Sequence, residues 1–221
     1  MVSFLSIHNY FEIFALLTSV VSWRLIKKTP LRWLVLFLLF IVSVELVGGY
    51  YHKVLHKPNA WLYNFSVPIE YLFFTWLLSR YYRTEIFKKM AGMFIGGFLI
   101  FSILQIFIFG QLTSLNSIFL KIGSLAMIIF CCFYFIDFVR EEVPVNPVKE
   151  PMFWIVSGLF LFNVGEFLYV SLSNILFSDW KKWKPVIFKI NNNLIILLYA
   201  TIAIGIITMA RKQWAQKQDN Y

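Results

Sequence analysis

The stretch MAGMFIGGFLIFSILQIFIFGQLTSLNSIFL, residues 90–120, decides the fold of this chain, because none of its residues is charged. A transmembrane helix needs about 20 consecutive apolar residues to cross the hydrocarbon core of a bilayer. Residues 90–110 are therefore predicted to form one complete span. The residues that follow lead directly into another.

The composition of the whole chain agrees with this prediction. Of its 221 residues, 60% are hydrophobic and 14% are charged, and the mean hydropathy is +0.72. Soluble domains contain about 45–50% apolar and about 25% charged residues. A chain this apolar cannot cover its surface with polar groups in water, so it is predicted to be an integral membrane protein.

Outward from residues 90–110, six further hydrophobic runs predict six further spans. The seven predicted spans are residues 7–23, 31–50, 65–82, 90–110, 117–138, 152–175 and 187–209. The first run is short and ends at Arg24, so six spans are the alternative if it does not cross the bilayer. The predicted fold class is all-α, a polytopic transmembrane bundle of seven helices that forms a single domain, residues 1–221.

The lysine and arginine residues predict the orientation of the bundle, since cytoplasmic loops carry an excess of them. If the N-terminus lies outside, 13 of the 20 are on the cytoplasmic side and 7 are on the outer side. The prediction is therefore an N-terminus outside and a C-terminus inside.

Matching spacings in the two halves of the chain suggest an internal repeat. Tryptophan precedes glutamate by twelve residues at Trp33 and Glu45 and at Trp154 and Glu166, and asparagine precedes tyrosine by seven at Asn64 and Tyr71 and at Asn192 and Tyr199. Either these matches are chance in so aromatic a chain, or the bundle is a parallel repeat of three helices, one linking helix and three helices. Small-solute transporters such as the SWEET sugar carriers are built from parallel repeats.

Four glutamates interrupt the apolar runs, one in each of four predicted spans. They are Glu12, Glu45, Glu70 and Glu166. On insertion scales a charged side chain at the centre of a membrane helix costs about 2.5–3.5 kcal/mol, and such residues usually face the interior of a bundle. In the predicted orientation all four lie in the outer half of the membrane, with Glu166 the deepest. Glu70 follows Pro68 and is expected in the first turn of its helix.

Amide and phenol side chains are predicted at a similar depth. Asn163 lies three residues before Glu166 on the same helix face, and Asn192 and Tyr199 lie in the last span. With the glutamates, they are predicted to line a ligand pocket between the first, second, third, sixth and seventh spans. The fourth span, apolar apart from Gln105, is expected at the periphery. The alternative is that these side chains only tie helices together, although such bonds average about 0.6 kcal/mol.

The three histidines, His8, His52 and His56, also fall on the predicted outer side. An extended second helix would place Glu45, His52 and His56 on one stripe, and a histidine pair four residues apart can ligate zinc. Glu45 and His52 are about 10.5 Å apart along the axis, so His8 or Glu12 would have to complete the zinc shell. Solvated histidines are the alternative, and no other cofactor is predicted.

Other classes of function have little support in the sequence. The net charge of +9 is spread over short loops, which favours contact with anionic lipid headgroups over binding of nucleic acid. No nucleophile motif or phosphate-binding glycine loop is present, so no catalytic residue is assigned. The pairs Gly48-Gly49 and Gly96-Gly97 are expected to let helices approach closely.

Three segments carry a resemblance to other proteins: WLYNFSVPIEYLFF (61–74), PMFWIVSGLFLFNVGEFLYVSLSN (151–174) and NNNLIILLYATIAI (191–204). They are similar to a group of uncharacterised bacterial membrane proteins with seven helices, which are often encoded beside two-component histidine kinases. The resemblance implies the inner (cytoplasmic) membrane of a bacterium, a sensory or signalling context and a membrane signalling protein as partner. It assigns no catalytic residue.

These observations predict an integral membrane protein that binds a ligand in an outward-facing pocket of acids and amides, in a sensory or accessory role. Its partners would be the lipid bilayer and a small molecule, either cationic or polyhydroxylated. The first alternative is a small-solute transporter built on the helix repeat. The second is an intramembrane metal-dependent hydrolase that uses histidines and a glutamate.

Overall fold

The structure of the protein, a computed structural model, describes residues 6–107, 116–141, 146–175 and 180–218. Helix accounts for 89% of these residues, and none of them forms a strand. The eight α-helices of this part of the chain are α1 (Ile7–Val21), α2 (Trp23–Ile26), α3 (Trp33–Lys53), α4 (Ala60–Ser79), α5 (Glu85–Phe107), α6 (Ser117–Val139), α7 (Pro151–Ile175) and α8 (Trp180–Gln218). The all-α class predicted from the sequence is confirmed.

Each predicted span overlaps one of the seven longer helices, but the helix ends differ most at α4, α5 and α8. The predicted spans 117–138 and 152–175 agree with α6 and α7 to within one residue. α4 begins five residues before its predicted start, and α8 extends beyond its apolar run at both ends. A hydrophobic run marks what can cross lipid, whereas a helix continues through polar residues of good helix propensity, such as the lysines and glutamines of residues 210–218.

The earlier start of α4 moves Glu70 away from the beginning of its helix. Pro68 is the ninth residue of α4 and lies inside it, so the expected first-turn position of Glu70 is wrong. The aromatic and polar residues before Pro68 are typical of an interface loop. However, Asn64 is buried, and its side-chain oxygen accepts a hydrogen bond of 2.8 Å from the backbone N–H of Asn116, which joins this part of α4 to the start of α6.

Within the residues that the structure describes, five helices are long and apolar enough to cross a membrane, which confirms the membrane class. They are Pro30–Lys53, Glu85–Phe107, Ser117–Val139, Pro151–Leu172 and Pro185–Gln218. α1 is apolar but has 15 residues, about 22 Å of helix, against a hydrocarbon core of about 30 Å. α4 has 20 residues, but Asn64, Ser66 and Glu70 reduce its hydropathy. The count of seven spans therefore stays a prediction.

Six of the longer helices form a ring. α1 packs on α3, α3 on α4, α4 on α6, α6 on α7, α7 on α8 and α8 on α1. α5 lies outside the ring, against α4 and α6, so the peripheral position expected for the fourth span is confirmed. The ring encloses a space to which all six of its helices can contribute side chains.

Fully buried apolar side chains fill the half of the ring where α3 and α7 begin. Leu34, Leu77, Leu78, Ile155 and Ile206 are all 0% exposed there. The opposite half, where α1, α4 and α6 begin, contains the polar side chains that interrupt the apolar runs. Apolar packing therefore closes the ring at one end and leaves the polar groups at the other.

Glycines allow helices of the ring to approach closely. A Cβ atom added at Gly123 would overlap the ring of Tyr71, so α6 and α4 meet at this point. α7 and α8 meet in the same way at three glycines, Gly158, Gly165 and Gly205. Close backbone approach of this kind is a main source of helix association in membranes.

The four glycines of the two pairs identified in the sequence differ in how closely other side chains approach them. Gly48 lies at a close approach, because a Cβ atom there would be 3.0 Å from the hydroxyl of Tyr63. Gly49, Gly96 and Gly97 face open space, so the expectation of close packing is wrong for them. Two of these three are on α5, whose peripheral position leaves much of its surface without a neighbouring helix.

Candidate functional site

A cavity of about 360 Å³ lies inside the ring, in the half where α1, α4 and α6 begin. All six ring helices contribute to its wall. Its polar lining consists of His8, Glu12, Glu45, Tyr63, Ser66, Glu70, Tyr71, Asn163, Glu166, Tyr169, Asn191 and Tyr199. Of the seven residues predicted to bind a ligand, the structure brings six together here and leaves out Asn192.

The four glutamates reach the cavity from four different helices: α1, α3, α4 and α7. Glu12 and Glu166 are 3% and 9% exposed, whereas Glu45 and Glu70 are half-buried. Glu70 is close enough to the other three to interact electrostatically with each of them. The carboxyl groups therefore form one cluster, called here the acidic cluster.

Along its helix, Glu70 lies deeper than Glu166, contrary to the order expected from the sequence. Glu70 is ten residues from the start of α4, about 15 Å at 1.5 Å per residue. Glu166 is nine residues from the end of α7, about 13.5 Å. The difference arises because α4 begins before its apolar run does.

Two members of the acidic cluster accept a hydrogen bond from a neighbouring side chain. Asn9 Nδ2 donates to Glu12 Oε2 at 3.2 Å, and Tyr63 Oη donates to Glu45 Oε2 at 3.3 Å. Both distances are at the long end of the usual range. Among the described residues, the cavity wall contains no lysine or arginine. The wall is therefore rich in acceptor oxygens and poor in positive charge.

Two asparagines add buried acceptors to the same wall. Asn163 is 2% exposed and donates from Nδ2 to the carbonyl of Leu159 at 2.7 Å, which leaves its Oδ1 atom for another partner. Asn163 Oδ1 and Asn191 Oδ1 are both buried and accept no hydrogen bond within the described residues. Such an atom loses the hydrogen bond to water that it would make outside the protein, so it is costly unless a ligand or water supplies a donor.

Asn191 occupies the place that the sequence predicted for Asn192. The wall-forming stripe of α8 consists of Phe188, Asn191, Ile195, Leu198 and Tyr199, which follow a helical period. Asn192 is rotated by about 100° from Asn191 and does not line the cavity. Residues seven and eight positions before Tyr199 both fit one helix face, so spacing alone could not choose between them.

Besides Asn191, four polar side chains of the wall were not predicted as site residues from the sequence: Tyr63, Ser66, Tyr71 and Tyr169. Tyr63 lies seven residues before Glu70 and Tyr169 lies three residues after Glu166, and both spacings keep the pair on one helix face. The helical spacing that predicts these two wall residues was therefore present in the sequence. It could be used for Tyr63 only once the helix is known to extend back beyond residue 65.

The histidines do not form the predicted group. His8 lines the cavity, whereas His52 and His56 are exposed. α3 ends at Lys53, and His56 lies in the following loop with a positive φ of 53°, so a helical stripe through His52 and His56 is not formed. No three histidine, cysteine or acidic side chains in the described ranges are grouped closely enough to hold a metal ion.

A second cleft, of about 500 Å³, lies at the opposite end of the molecule. Two ion pairs border it: Arg83 to Glu141 at 2.6 Å and Lys212 to Glu150 at 2.7 Å. The positive and negative groups in this cleft largely pair with one another, unlike the carboxyl groups of the acidic cluster. Nothing in the sequence had pointed to it.

Asp137, at the end of α6, anchors the turn that leads into α5. Its carboxylate accepts hydrogen bonds from the backbone N–H groups of Arg83 and Thr84, at 2.8 and 3.1 Å, and from the Thr84 hydroxyl at 2.5 Å. Helix N-termini leave such N–H groups without an intrahelical partner, so Asp137 acts as a cap supplied from another helix.

Comparison of the chain with protein-family models, with curated proteins and with solved structures finds no match.

Proposed function

We propose that the protein binds a small molecule in the cavity of its helix ring and acts as a sensory or accessory protein of the membrane. The observation that carries this proposal is the meeting of four carboxyl groups and two unpartnered amide oxygens in one cavity. Ionisable side chains inside a membrane protein are costly and usually mark a functional site. A bound ligand would contact several helices at once, so its presence could alter the packing of the ring.

A purely structural role for these polar groups is less well supported. The bond from Asn9 to Glu12 and the bond from Asn163 to Leu159 each remain within one helix. The bond from Tyr63 to the Glu45 carboxylate does join two helices, but Glu12 and Asn163 use theirs within their own helices. Groups whose role is to join helices would form their hydrogen bonds between helices.

The sensory role and its setting rest on the sequence. The resemblance of three segments to proteins encoded beside histidine kinases supports a membrane signalling protein as partner and a bacterial inner membrane as location. The distribution of basic residues, 13 of 20 on one side, supports an N-terminus outside. In that orientation the acidic cluster lies in the outer half of the membrane and the ligand enters from outside.

A thermal-shift measurement on the purified full-length protein tests ligand binding. The panel contains primary amines, quaternary ammonium ions and sugars, one class of which is expected to raise the unfolding midpoint. A ligand at a hundred times its Kd stabilises the protein by about 2.7 kcal/mol. Glu166→Gln is expected to abolish the shift, because it removes a carboxylate from the cavity wall while preserving its shape.

Glu85→Gln is the matched control for this substitution. Glu85 is exposed at the start of the peripheral α5 and pairs with Lys88, so its replacement should leave the shift intact. An equal loss in both variants, or no shift with any class of compound, would contradict the proposed function.

A transporter is the second candidate, favoured by the order of helices in the ring. Around the ring the order is α1, α3, α4, α6, α7, α8. If α1, α3 and α4 are exchanged with α6, α7 and α8 in that order, each pair of helices in contact becomes another pair in contact. α5 lies outside the ring and links the two sets of three helices. This order supports the parallel repeat of three, one and three helices, an arrangement found in small-solute transporters.

Burial in α4 and α8 also agrees with a repeat. The offset that pairs Tyr71 with Tyr199 pairs other buried positions too. They are Phe74 with Ile202, Thr75 with Ala203 and Leu78 with Ile206, each of them 2% exposed or less. Two helices that present the same positions to the core in the same register are expected if both derive from one ancestral helix.

Proteoliposomes separate the two candidates. If the protein is a transporter, a radiolabelled compound that shifts the unfolding midpoint should also accumulate inside the vesicles, and Glu166→Gln should stop its uptake. Binding without uptake would favour the sensory role.

A further inference from the structure

We propose that the ligand of this cavity is a protonated organic amine. This inference rests on the proposed ligand-binding function and adds the chemical class of the ligand. It follows from an imbalance in the wall of the cavity, which contains four carboxyl groups and two unpartnered amide oxygens but, among the described residues, no lysine or arginine.

Three donors of the wall are engaged within the protein itself. Tyr63 Oη donates to Glu45 Oε2 at 3.3 Å, and Tyr71 Oη donates to the carbonyl of Leu120 at 3.4 Å. Asn163 Nδ2 donates to a carbonyl of its own helix at 2.7 Å. A sugar or another polyol offers donors and acceptors in similar number, and it carries no positive charge to match the four carboxyl groups.

The acceptors of the wall are available by comparison. Asn163 Oδ1 and Asn191 Oδ1 are buried without a partner, and Glu70 and Glu166 receive no hydrogen bond from the residues that the structure describes. Asn163 and Glu166 are three residues apart, so both face the cavity from one side of α7. A primary ammonium group carries three N–H donors and one positive charge, which match amide and carboxylate acceptors.

The shape of the site favours an organic cation over a metal ion. The acidic cluster is spread over four helices, and no three of its members, or of the described histidines and cysteines, are grouped at metal-binding distances. Between the carboxyl groups the wall is apolar and aromatic, with Phe74, Phe162, Phe188 and Leu159 among its members. Such a wall accommodates a hydrocarbon body, and aromatic faces attract cations.

Isothermal titration calorimetry on the full-length protein in lipid nanodiscs tests this assignment. The probes are 2-phenylethylamine and hexylamine, each compared with the alcohol of the same carbon skeleton and with the corresponding trimethylammonium ion. At least one primary amine is expected to bind about tenfold or more tightly than its alcohol, which lacks the charge. It should also exceed its trimethylammonium counterpart, which lacks N–H donors.

Neighbouring asparagines of α8 supply a matched pair of variants. Asn191→Leu removes an acceptor from the cavity and is expected to weaken amine binding about tenfold. Asn193→Leu makes the same change at an exposed position outside the cavity, and the affinity should not change. If Asn191→Leu fails to fold, Asn191→Asp serves in its place: it keeps an acceptor oxygen and adds negative charge, so amine binding should tighten relative to binding of the alcohol, and weaker amine binding would overturn the assignment.

The results distinguish this inference from the function on which it rests. If an alcohol or a sugar binds as tightly as the amines, or neither amine binds while another compound shifts the unfolding midpoint, the amine assignment is overturned and ligand binding stands. Equal affinities of Asn191→Leu and Asn193→Leu for the amine would also overturn it. If no compound of any class binds, the proposed function itself is wrong.

Discussion

A single methyl group at residue 123 tests how tightly the wall of the cavity is packed. Gly123→Ala would drive a Cβ atom into the ring of Tyr71, which is 5% exposed and lines the cavity. Overpacking of this kind costs about 1–3 kcal/mol, so the unfolding midpoint measured by circular dichroism in detergent is expected to fall.

Gly97→Ala is the control for this prediction. Gly97 faces open space on α5, so alanine there should be neutral or should stabilise the helix by up to about 1 kcal/mol through its higher helix propensity. A midpoint that does not fall in Gly123→Ala, or that falls equally in both variants, would contradict a close approach specific to Gly123.

Residues differ in how readily the sequence reveals their role. Glu45 and Glu166 could be identified because a lone carboxylate in an apolar run has few structural explanations. Asn191 could not be separated from Asn192, since the choice depends on a rotation of about 100° that only the packing of α8 decides. Chemical rarity is visible in a sequence, whereas the direction of a side chain among adjacent polar residues is not.

Asp137 provides a prediction at the level of elements, because it joins the end of α6 to the start of α5. Asp137→Ala would leave the N–H groups of Arg83 and Thr84 without their acceptor. Loss of a helix cap costs about 0.5–2 kcal/mol, so thermal unfolding should begin at a lower temperature. Glu85→Ala, at the exposed first residue of α5, should change the stability by about 0.5 kcal/mol or less. Equal effects would show that Asp137 is not a cap.

The helices themselves were largely predictable, but their ends were not. The charge-free interior of α6 and the apolar run of α7 predicted both to within one residue. The ends of α4 and α8 were missed because polar residues continue a helix after the apolar run has stopped. α3 also continues three residues beyond its predicted span, to Lys53, but it does not reach His56, which lies in the following loop, away from the expected zinc group.

At the scale of the whole molecule, the ring has two unlike ends separated by the apolar core. One end contains the acidic cluster, and the other contains the cleft bordered by Arg83, Glu141, Glu150 and Lys212. The sequence could suggest which helices share a cavity from their polar residues, but it contained no signal for the order of helices around the ring. That order depends on side-chain packing between helices far apart in the chain.

The orientation of these two ends in the membrane decides which compartment supplies the ligand. Lys57 and Lys149 are exposed in loops at opposite ends of the bundle. In a variant whose Cys131 and Cys132 are replaced by alanine, Lys57→Cys is expected to react with a membrane-impermeant maleimide in intact cells. Lys149→Cys should react only after the membrane is permeabilised. The reverse pattern would place the acidic cluster on the cytoplasmic side, where an intracellular amine would have to be its ligand.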